Sequence, residues 1–547
     1  MNWFQDVTSG RGLHFVHQVD LSGKHLYPES IGSGCAFLDF DNDGRLDIYL
    51  IHNVNPSTPA TNQLYHQGEN GRFTEVSAGS GLDVPGFGHG IAVGDLNNDG
   101  LPEVVITEYD RIRLFQNLSA GKFRDVTLSA GLTNQNWSVP AAFFDYDRDG
   151  WLDLVVGNYL DFDPTQRCHD AQGRPEFCGP HGFPATVTRL FHNLGAATNG
   201  SASIRFEDVT ASSGLARAPG KAMQIVCVDF DGNRWPDIFI TDDGLPNRLF
   251  CNQGDGTFTE EAVARGLAYT GVGAAAANMG IALGDVDQDG LFDLFVPHLA
   301  EENHTFWRQR PPGLFQDETA RAGLINLSWH GTGFAAVFAD LNSDGALDLA
   351  VVNGLVRRRI GPVRGRLSAD VPIFWTAYAE PSQLFLNDGA GGFREISAAQ
   401  TAFAVEASVG RGAACGDIDN DGRLDLLVTS IGSRARLWHN VASSTNHWLG
   451  VRAIDPAAGG RDAYGAEIVL HSGTRRWWRI VQPAYSFASS NDPRVHFGLG
   501  LASNVERITV LWPDGTGEDF SAPMVDRYVT LRKGTGRLQS TMSEPLL

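Results

Sequence analysis

Four oxygen-bearing side chains at positions 1, 3, 5 and 9 of a short loop recur seven times along this 547-residue chain. The loops supply Asp39, Asp41, Asp43 and Asp47; Asp95, Asn97, Asp99 and Glu103; Asp145, Asp147, Asp149 and Asp153; and Asp229, Asp231, Asn233 and Asp237. They continue with Asp285, Asp287, Asp289 and Asp293; Asp340, Asn342, Asp344 and Asp348; and Asp417, Asp419, Asp421 and Asp425. Oxygens at this spacing, with glycine at position 6 for a sharp turn, suit a hard cation that takes roughly six to eight oxygen ligands. Calcium is therefore the expected metal, up to seven ions in a structural role. The fourth loop departs from the pattern, because Arg234 stands where glycine is usual and Asn233 replaces a carboxylate, and it is expected to be weak or empty.

The elements that must position these loops are strands. An EF-hand opens with the same D-x-D-x-D-G but needs a bidentate glutamate at position 12 and flanking helices. Here position 12 is Leu50 in the first loop and Ile106 in the second, and the flanks are short apolar runs such as CAFL and IYLI. Such runs read as buried strands, so each unit is strand, metal turn, strand.

Two further motifs keep step with the loop. One is an aromatic-acidic strand (FQDVT from Phe4, FRDVT from Phe123, FEDVT from Phe206), and the other an L-F-x-N strand (RLFQN from Arg113, RLFHN from Arg189, RLWHN from Arg436); each occurs seven times. A period of 50 to 56 residues, stretched to 84 and 77 by insertions, holds four strands and points to a radial array. The chain opens on an aromatic-acidic strand and its last repeat lacks one, so the strand at Phe4 is expected to complete the seventh blade and remove an open edge. The fold class is all-β: a seven-bladed propeller over residues 1–440, a small β domain over 441–533 and a disordered tail over 534–547. A linear solenoid is the structural alternative.

These repeats resemble FG-GAP/VCBS repeats, the propeller modules also found in integrin alpha chains. The stretch HQVDLSGKHLYPESIGSGCAFLDFDNDGRLDIYL resembles the start of the cartilage acidic protein-like family, bacterial members included. NHWLGV from Asn446, DAYGAEIVL from Asp462, DPRVHFGLG from Asp492 and ITVLWPDG from Ile508 resemble the ASPIC/UnbV domain. The resemblance implies the fold, calcium in the blade loops and export from the cytoplasm. Where relatives carry glycine-rich sequence before a Ser-Gln pair, this chain has QPAYSFASSND from Gln482. Trp477, Trp478, His496 and Trp512 in the second domain suit either core packing or a carbohydrate platform.

The formal net charge of -22 belongs mostly to the metal loops, since seven divalent ions would bring it to about -8. An acidic chain with no basic stripe gives no expectation of nucleic acid as a partner. No apolar run reaches the ~18 residues of a membrane span. A leader removed from the N-terminus would make the protein extracytoplasmic or secreted, and a native N-terminus would make it cytoplasmic; calcium loops favour the former. Cys168 and Cys178 bracket an insertion and read as a disulfide, with free thiols or a zinc site including His169 and His181 as alternatives.

Each metal turn joins two strands at one rim, so their other ends emerge at the opposite rim. There the sequence gathers Trp137, Asn158, Tyr159, Lys221, Asp243, Trp329 and Arg411 as candidate ligand-binding residues, and Asp242, Glu108, Glu301, His298 and His330 as candidate acids and bases. Insertions near residues 159–187 and 354–381 leave from the same side and are expected to wall it. No G-x-S-x-G, H-E-x-x-H or strand-to-helix G-x-G-x-x-G is present. Two functions remain: a calcium-stabilised recognition module for a glycan, protein or small molecule, or a cofactor-free lyase, isomerase, cyclase or hydrolase in the same funnel.

Overall fold

The computed structural model describes the chain apart from residues 1–2, 20–22, 24, 56–57, 196–202, 326–328, 397–400, 522 and 540–547. Among the described residues, seven four-stranded antiparallel sheets follow one another, each a strand, metal loop, strand, L-F-x-N strand and aromatic-acidic strand. The first is Cys35–Leu38, Asp47–Leu50, Gln63–Gln67 and Phe73–Glu75. The seventh is Gly410–Gly416, Asp425–Ser430 and Arg436–Asn440, with Phe4–Asp6 from the N-terminus paired on its edge in the register Phe4↔Asn440. The two inner strands of each sheet are buried on both faces, which is why they read as unbroken apolar runs. Ala36, Tyr49, Leu64, Ile91, Val104 and Phe115, for example, form one apolar cluster between the first and second sheets.

The repeated residues have specific duties. At position 9 the carboxylate takes the N–H of loop position 2 and the N–H of the last residue of the L-F-x-N strand; Asp47 binds Phe40 N and Gln67 N, and Asp237 binds Phe230 N and Asn252 N. The final Asn or Gln of L-F-x-N donates its side-chain amide to the position-2 carbonyl of the preceding sheet's loop. Asn117 reaches Phe40 O at 2.8 Å, Asn193 Leu96 O, Asn252 Tyr146 O, Gln309 Phe230 O, Asn387 Val286 O and Asn440 Leu341 O. Gln67 of the first sheet reaches Ile418 O of the seventh at 2.8 Å, so the series returns to its start. Each such bond satisfies a buried carbonyl that would otherwise cost free energy.

Residues from His447 onward form two sheets, one built on His447–Asp455 and one of five strands led by Arg475–Ile480. This domain sits on the rim that carries the metal loops: Tyr464 OH donates to Val93 O, Tyr528 OH to Asp417 Oδ2, and Arg461 Nη1 to Asn98 Oδ1. Trp477, Trp478, His496 and Trp512 are all buried, so they are core and interdomain contacts and form no platform; Trp478 packs on Phe292 at 4.3 Å. Within the stretch expected to be disordered, Arg537–Leu538 pairs with Gly517–Ser521, and Glu518 accepts from Gly534 N and Gly536 N. The rest of that tail, 540–547, lies outside the described residues.

The centre of the array is filled from both ends. From the metal-loop side, residues 482–491 reach inward between strands Arg475–Ile480 and Val495–Gly500. Ser486 bridges Ile281, Ser490 bridges Ala36, Ala488 O accepts from Ile91 N, Asn491 Oδ1 accepts from Cys415 N, and Phe487 meets Phe334 at 5.1 Å. Gly34 is required here, since a Cβ at that position would lie 1.8 Å from Ala488 O. From the other side, the short helix Pro28–Ile31 and its flanks close the axis: Asn53 Nδ2 donates to Pro28 O and Arg411 Nη2 to Ser30 O.

Candidate functional site

Each metal loop holds two left-handed residues, at positions 4 and 6. Asn42 and Gly44 have φ 58° and 83°, and the position-1 carboxylate Asp39 accepts the N–H groups of Asp43 and Gly44. In the fourth loop the same backbone is kept with the residues exchanged: Gly232 has φ 80° and Arg234 φ 71°. Its departure from the sequence pattern thus leaves the turn intact, with Asp229 accepting from Gly232 N and Arg234 N. The carboxylates are crowded and partly desolvated. Burial pushes Asp47 and Asp237 up to about 8, and Asp285, Asp340 and Asp417 up to about 7. Arginines answer part of this charge, Arg45 on Asp43, Arg423 on Asp421 and Arg310 on Asp287 and Asp289, and a divalent cation at positions 1, 3 and 5 fits the donor set.

At the opposite rim, structure and expectation diverge for most of the predicted residues. Asp242 is fully buried and accepts from Arg248 Nε at 2.7 Å, Arg248 Nη2 at 2.8 Å and Lys221 N at 2.5 Å. Glu108 is gripped by Arg113 and Arg111 at 3.1 and 3.3 Å. His298 bonds Thr305 Oγ1 and Ala277 O, and burial lowers its basicity to about 4. Asn158 is saturated by Ser138, Asn134 and Val187. These side chains tie a strand end to its neighbours within one sheet, so as funnel residues Asp242, Glu108, His298 and Asn158 are corrected to internal locks.

Trp137, Tyr159, Asp243, Lys221 and Arg411 face the axis but meet the chain itself. Tyr159 OH donates to Asp243 Oδ2 at 2.5 Å and pairs with Tyr27 OH, whose ring lies 5.5 Å from that of Trp137. Lys221 Nζ donates to Pro180 O at 2.7 Å. Arg411 gives its N–H groups to the carbonyls of Ser30, Gly354, Gly410 and Leu355 and stacks 3.8 Å over Phe334. The helix Pro28–Ile31 and the insertions have occupied the place where the sequence puts a ligand.

What stays open is off the axis. A cavity of about 910 Å³ lies between the two insertions, and Glu301, Trp329 and His330 line it, together with Arg357, Arg358 and Arg359. The insertions are joined beneath it: Glu176 accepts from Arg358 N and Tyr378 OH, and Phe177 stacks on Trp375 at 5.6 Å. A disulfide joins Cys168 to Cys178 in the first insertion. Arg364 lies 4.6 Å over the Trp329 ring. Sequence reasoning missed the arginine run, though three consecutive arginines in so acidic a chain were a usable signal. It also missed a second cavity of about 480 Å³ between the metal rim and the C-terminal domain, lined by Asp39, Asp95, Arg452, Arg494 and Tyr528.

The FG-GAP-like repeat model matches residues 39–106, 95–156, 229–296 and 372–428, and the ASPIC and UnbV model matches residues 457–538. This chain is an FG-GAP repeat protein with an ASPIC/UnbV domain. The FG-GAP protein is 25% identical over 526 residues to Cartilage acidic protein 1 of Xenopus tropicalis, covering 89% of this chain and 71% of that one. With Cartilage acidic protein 1 of Homo sapiens it shares 27% identity over 486 residues, 78% of this chain and 69% of the relative. Among solved structures, an Agrocybe aegerita lectin that recognises non-reducing terminal N-acetylglucosamine aligns at TM-score 0.37 and 13% identity, covering 73% of this chain and 86% of that one. PorZ, a surface component of the type-IX secretion system of Porphyromonas gingivalis, aligns at TM-score 0.40 and 10% identity, covering 94% and 61%. Among the described residues no helix is long and apolar enough to cross a membrane.

Proposed function

We propose that this FG-GAP protein is an extracytoplasmic recognition module whose ligand, a glycan, peptide or other polar molecule, binds in the cavity between the two insertions. Calcium ions in the loops of the far rim hold the sheets in place and take no part in binding. The observation that carries this reading is the cavity itself: about 910 Å³, walled by both insertions, with an indole, an imidazole and an exposed guanidinium on its surface. The disulfide in its wall supports an oxidising compartment. The candidate acid–base set is split, with Asp242, Glu108 and His298 buried elsewhere and Glu301 and His330 at the cavity, which favours binding over catalysis.

Glycan and peptide arrays probed with calcium-loaded protein test the proposal, alongside Trp329→Ala and Arg357→Ala. The expected result is a ligand class retained by the parent and lost in both variants at unchanged melting temperature. Retention by both variants would place the binding surface elsewhere, and conversion of an array compound would instead mark the cavity as catalytic.

A further inference from the structure

The third residue of the L-F-x-N motif, x, lies beside the metal loop of its own sheet, and it is histidine in three of seven sheets: His66, His192 and His439. With only 16 histidines in 547 residues, composition alone does not place three at one equivalent position. His66 Nε2 lies 3.2 Å from Asp41 Oδ2 and 3.4 Å from Asp43 Oδ2, and this buried nitrogen has no hydrogen-bond partner. His192 Nδ1 lies 3.1 Å from Asp153 Oδ1 and 3.4 Å from Asp147 Oδ2. His439 Nδ1 lies 3.0 Å from Asp425 Oδ1 and 4.0 Å from Asp419 Oδ2. In each case one imidazole and two carboxylates bring donor atoms within 4.8 Å of one another.

We propose that the first, third and seventh loops are mixed nitrogen and oxygen sites that bind a borderline divalent cation, zinc being the type, in preference to calcium. The inference rests on reading the loops as cation sites. Calcium takes oxygen almost exclusively, whereas imidazole nitrogen with carboxylate is a common zinc set. A tetrahedron with bonds of about 2.0–2.1 Å has ligand-to-ligand edges of roughly 3.3–3.4 Å. The spacings of 3.2 and 3.4 Å at His66 and 3.4 Å from His192 to Asp147 approach these edges, while the 3.0 and 3.1 Å contacts of His439 with Asp425 and His192 with Asp153 are hydrogen bonds. The other sheets differ at x: Gln116 in the second, Leu386 in the sixth, in the fourth Cys251, where Arg265 already lies 3.1 Å from Asp231, and in the fifth Arg308, 3.6 Å from Asp287 and itself a cation. Three loops would thus take zinc while the second and sixth keep all-oxygen sets.

Cobalt(II) is the probe, because tetrahedral coordination with nitrogen gives strong visible absorption. The full chain in millimolar calcium is titrated with cobalt and then zinc, and bound calcium is counted in the same samples by elemental analysis. The expected result is about three equivalents of cobalt that millimolar calcium does not displace and that zinc does. His192→Gln should remove one equivalent, and the triple variant with His66→Gln and His439→Gln all three. Glutamine is tolerated at this place, since Gln116 occupies it in the second sheet. Loss of an outer partner costs about 10–100-fold in metal affinity, so loss of a direct ligand should exceed about 100-fold. Displacement of cobalt by calcium, or equal uptake by the triple variant, overturns the proposal and leaves the imidazoles as hydrogen-bond partners of calcium ligands. A calcium count of zero would overturn the calcium reading as well, which the parallel measurement distinguishes.

Discussion

Replacing Asp242 by alanine separates a structural acid from a catalytic one. Its two oxygens hold both ends of the Arg248 guanidinium and the Lys221 N–H, and Arg248 also donates to Ala218 O at 2.8 Å, all in a buried setting. Burial raises the carboxyl of Asp242 and Arg248 offsets the shift, so the pair is the arrangement that keeps both charges inside. Removing one partner of such a pair leaves an uncompensated buried charge and costs about 3–5 kcal/mol. Replacing both, as Asp242→Ala with Arg248→Met, should restore much of the loss, because the desolvation cost disappears with the charges. Urea unfolding of the calcium-saturated protein measures both, together with the two single variants as a double-mutant cycle. A free funnel acid would give a loss below about 1 kcal/mol for the single variant. That outcome, or a double variant no more stable than Asp242→Ala, would refute the assignment of Asp242 as a lock.

Three further perturbations follow from the same geometry. In cation-stripped protein the raised carboxyls of Asp47 and Asp237, about 8 when folded against about 4 unfolded, hold protons that the unfolded chain releases. The contribution of these two groups to stability is then full below about pH 4 and is lost as pH climbs through 8, whereas saturating calcium, which needs the deprotonated form, should reverse the slope; melting curves at pH 5.5 and 8 decide, and a stripped protein more stable at pH 8 contradicts the site model. Arg234→Gly should stabilise the chain by about 1 kcal/mol, since Arg234 adopts φ 71° where six other loops have glycine; an unchanged or lower denaturation midpoint counts against strain there. Phe487→Ala should cost about 3–5 kcal/mol, read by the same unfolding assay, because its fully buried ring fills the axis against Phe334. A loss under about 1 kcal/mol would show that the axis collapses to fill the gap.

The repeating parts were legible because their logic is local. Loop, L-F-x-N and aromatic-acidic motifs each contain the residues that bond within one sheet or to the next loop, so spacing alone locates the seven sheets and the Phe4–Asp6 edge strand. The side of the array holding the cavity was also legible, since both insertions leave from strand ends on that side and do wall it. Parity at the strand ends was not: Asp242 turns into its own sheet and Asp243 toward the axis, and a one-residue difference cannot be judged without the register. A usable hint was the basic residue five or six positions on, Arg113 after Glu108 and Arg248 after Asp242, which marks a cross-strand pair. The contacts of Ser490 with the strand at 36 and of Ala488 with the strand at 91 leave no local trace beyond a glycine such as Gly34 that admits them.

The segment from Gln482 to Asn491 touches the innermost strands of six sheets, at Ala36, Ile91, Gln224, Ile281, Phe334 and Cys415. It acts as a key in a lock with no rotational freedom: the C-terminal domain cannot turn about the axis, and no solute passes from the metal rim to the cavity rim through the middle. Any mechanical coupling between the two faces must therefore run through the sheets themselves, because the middle is packed.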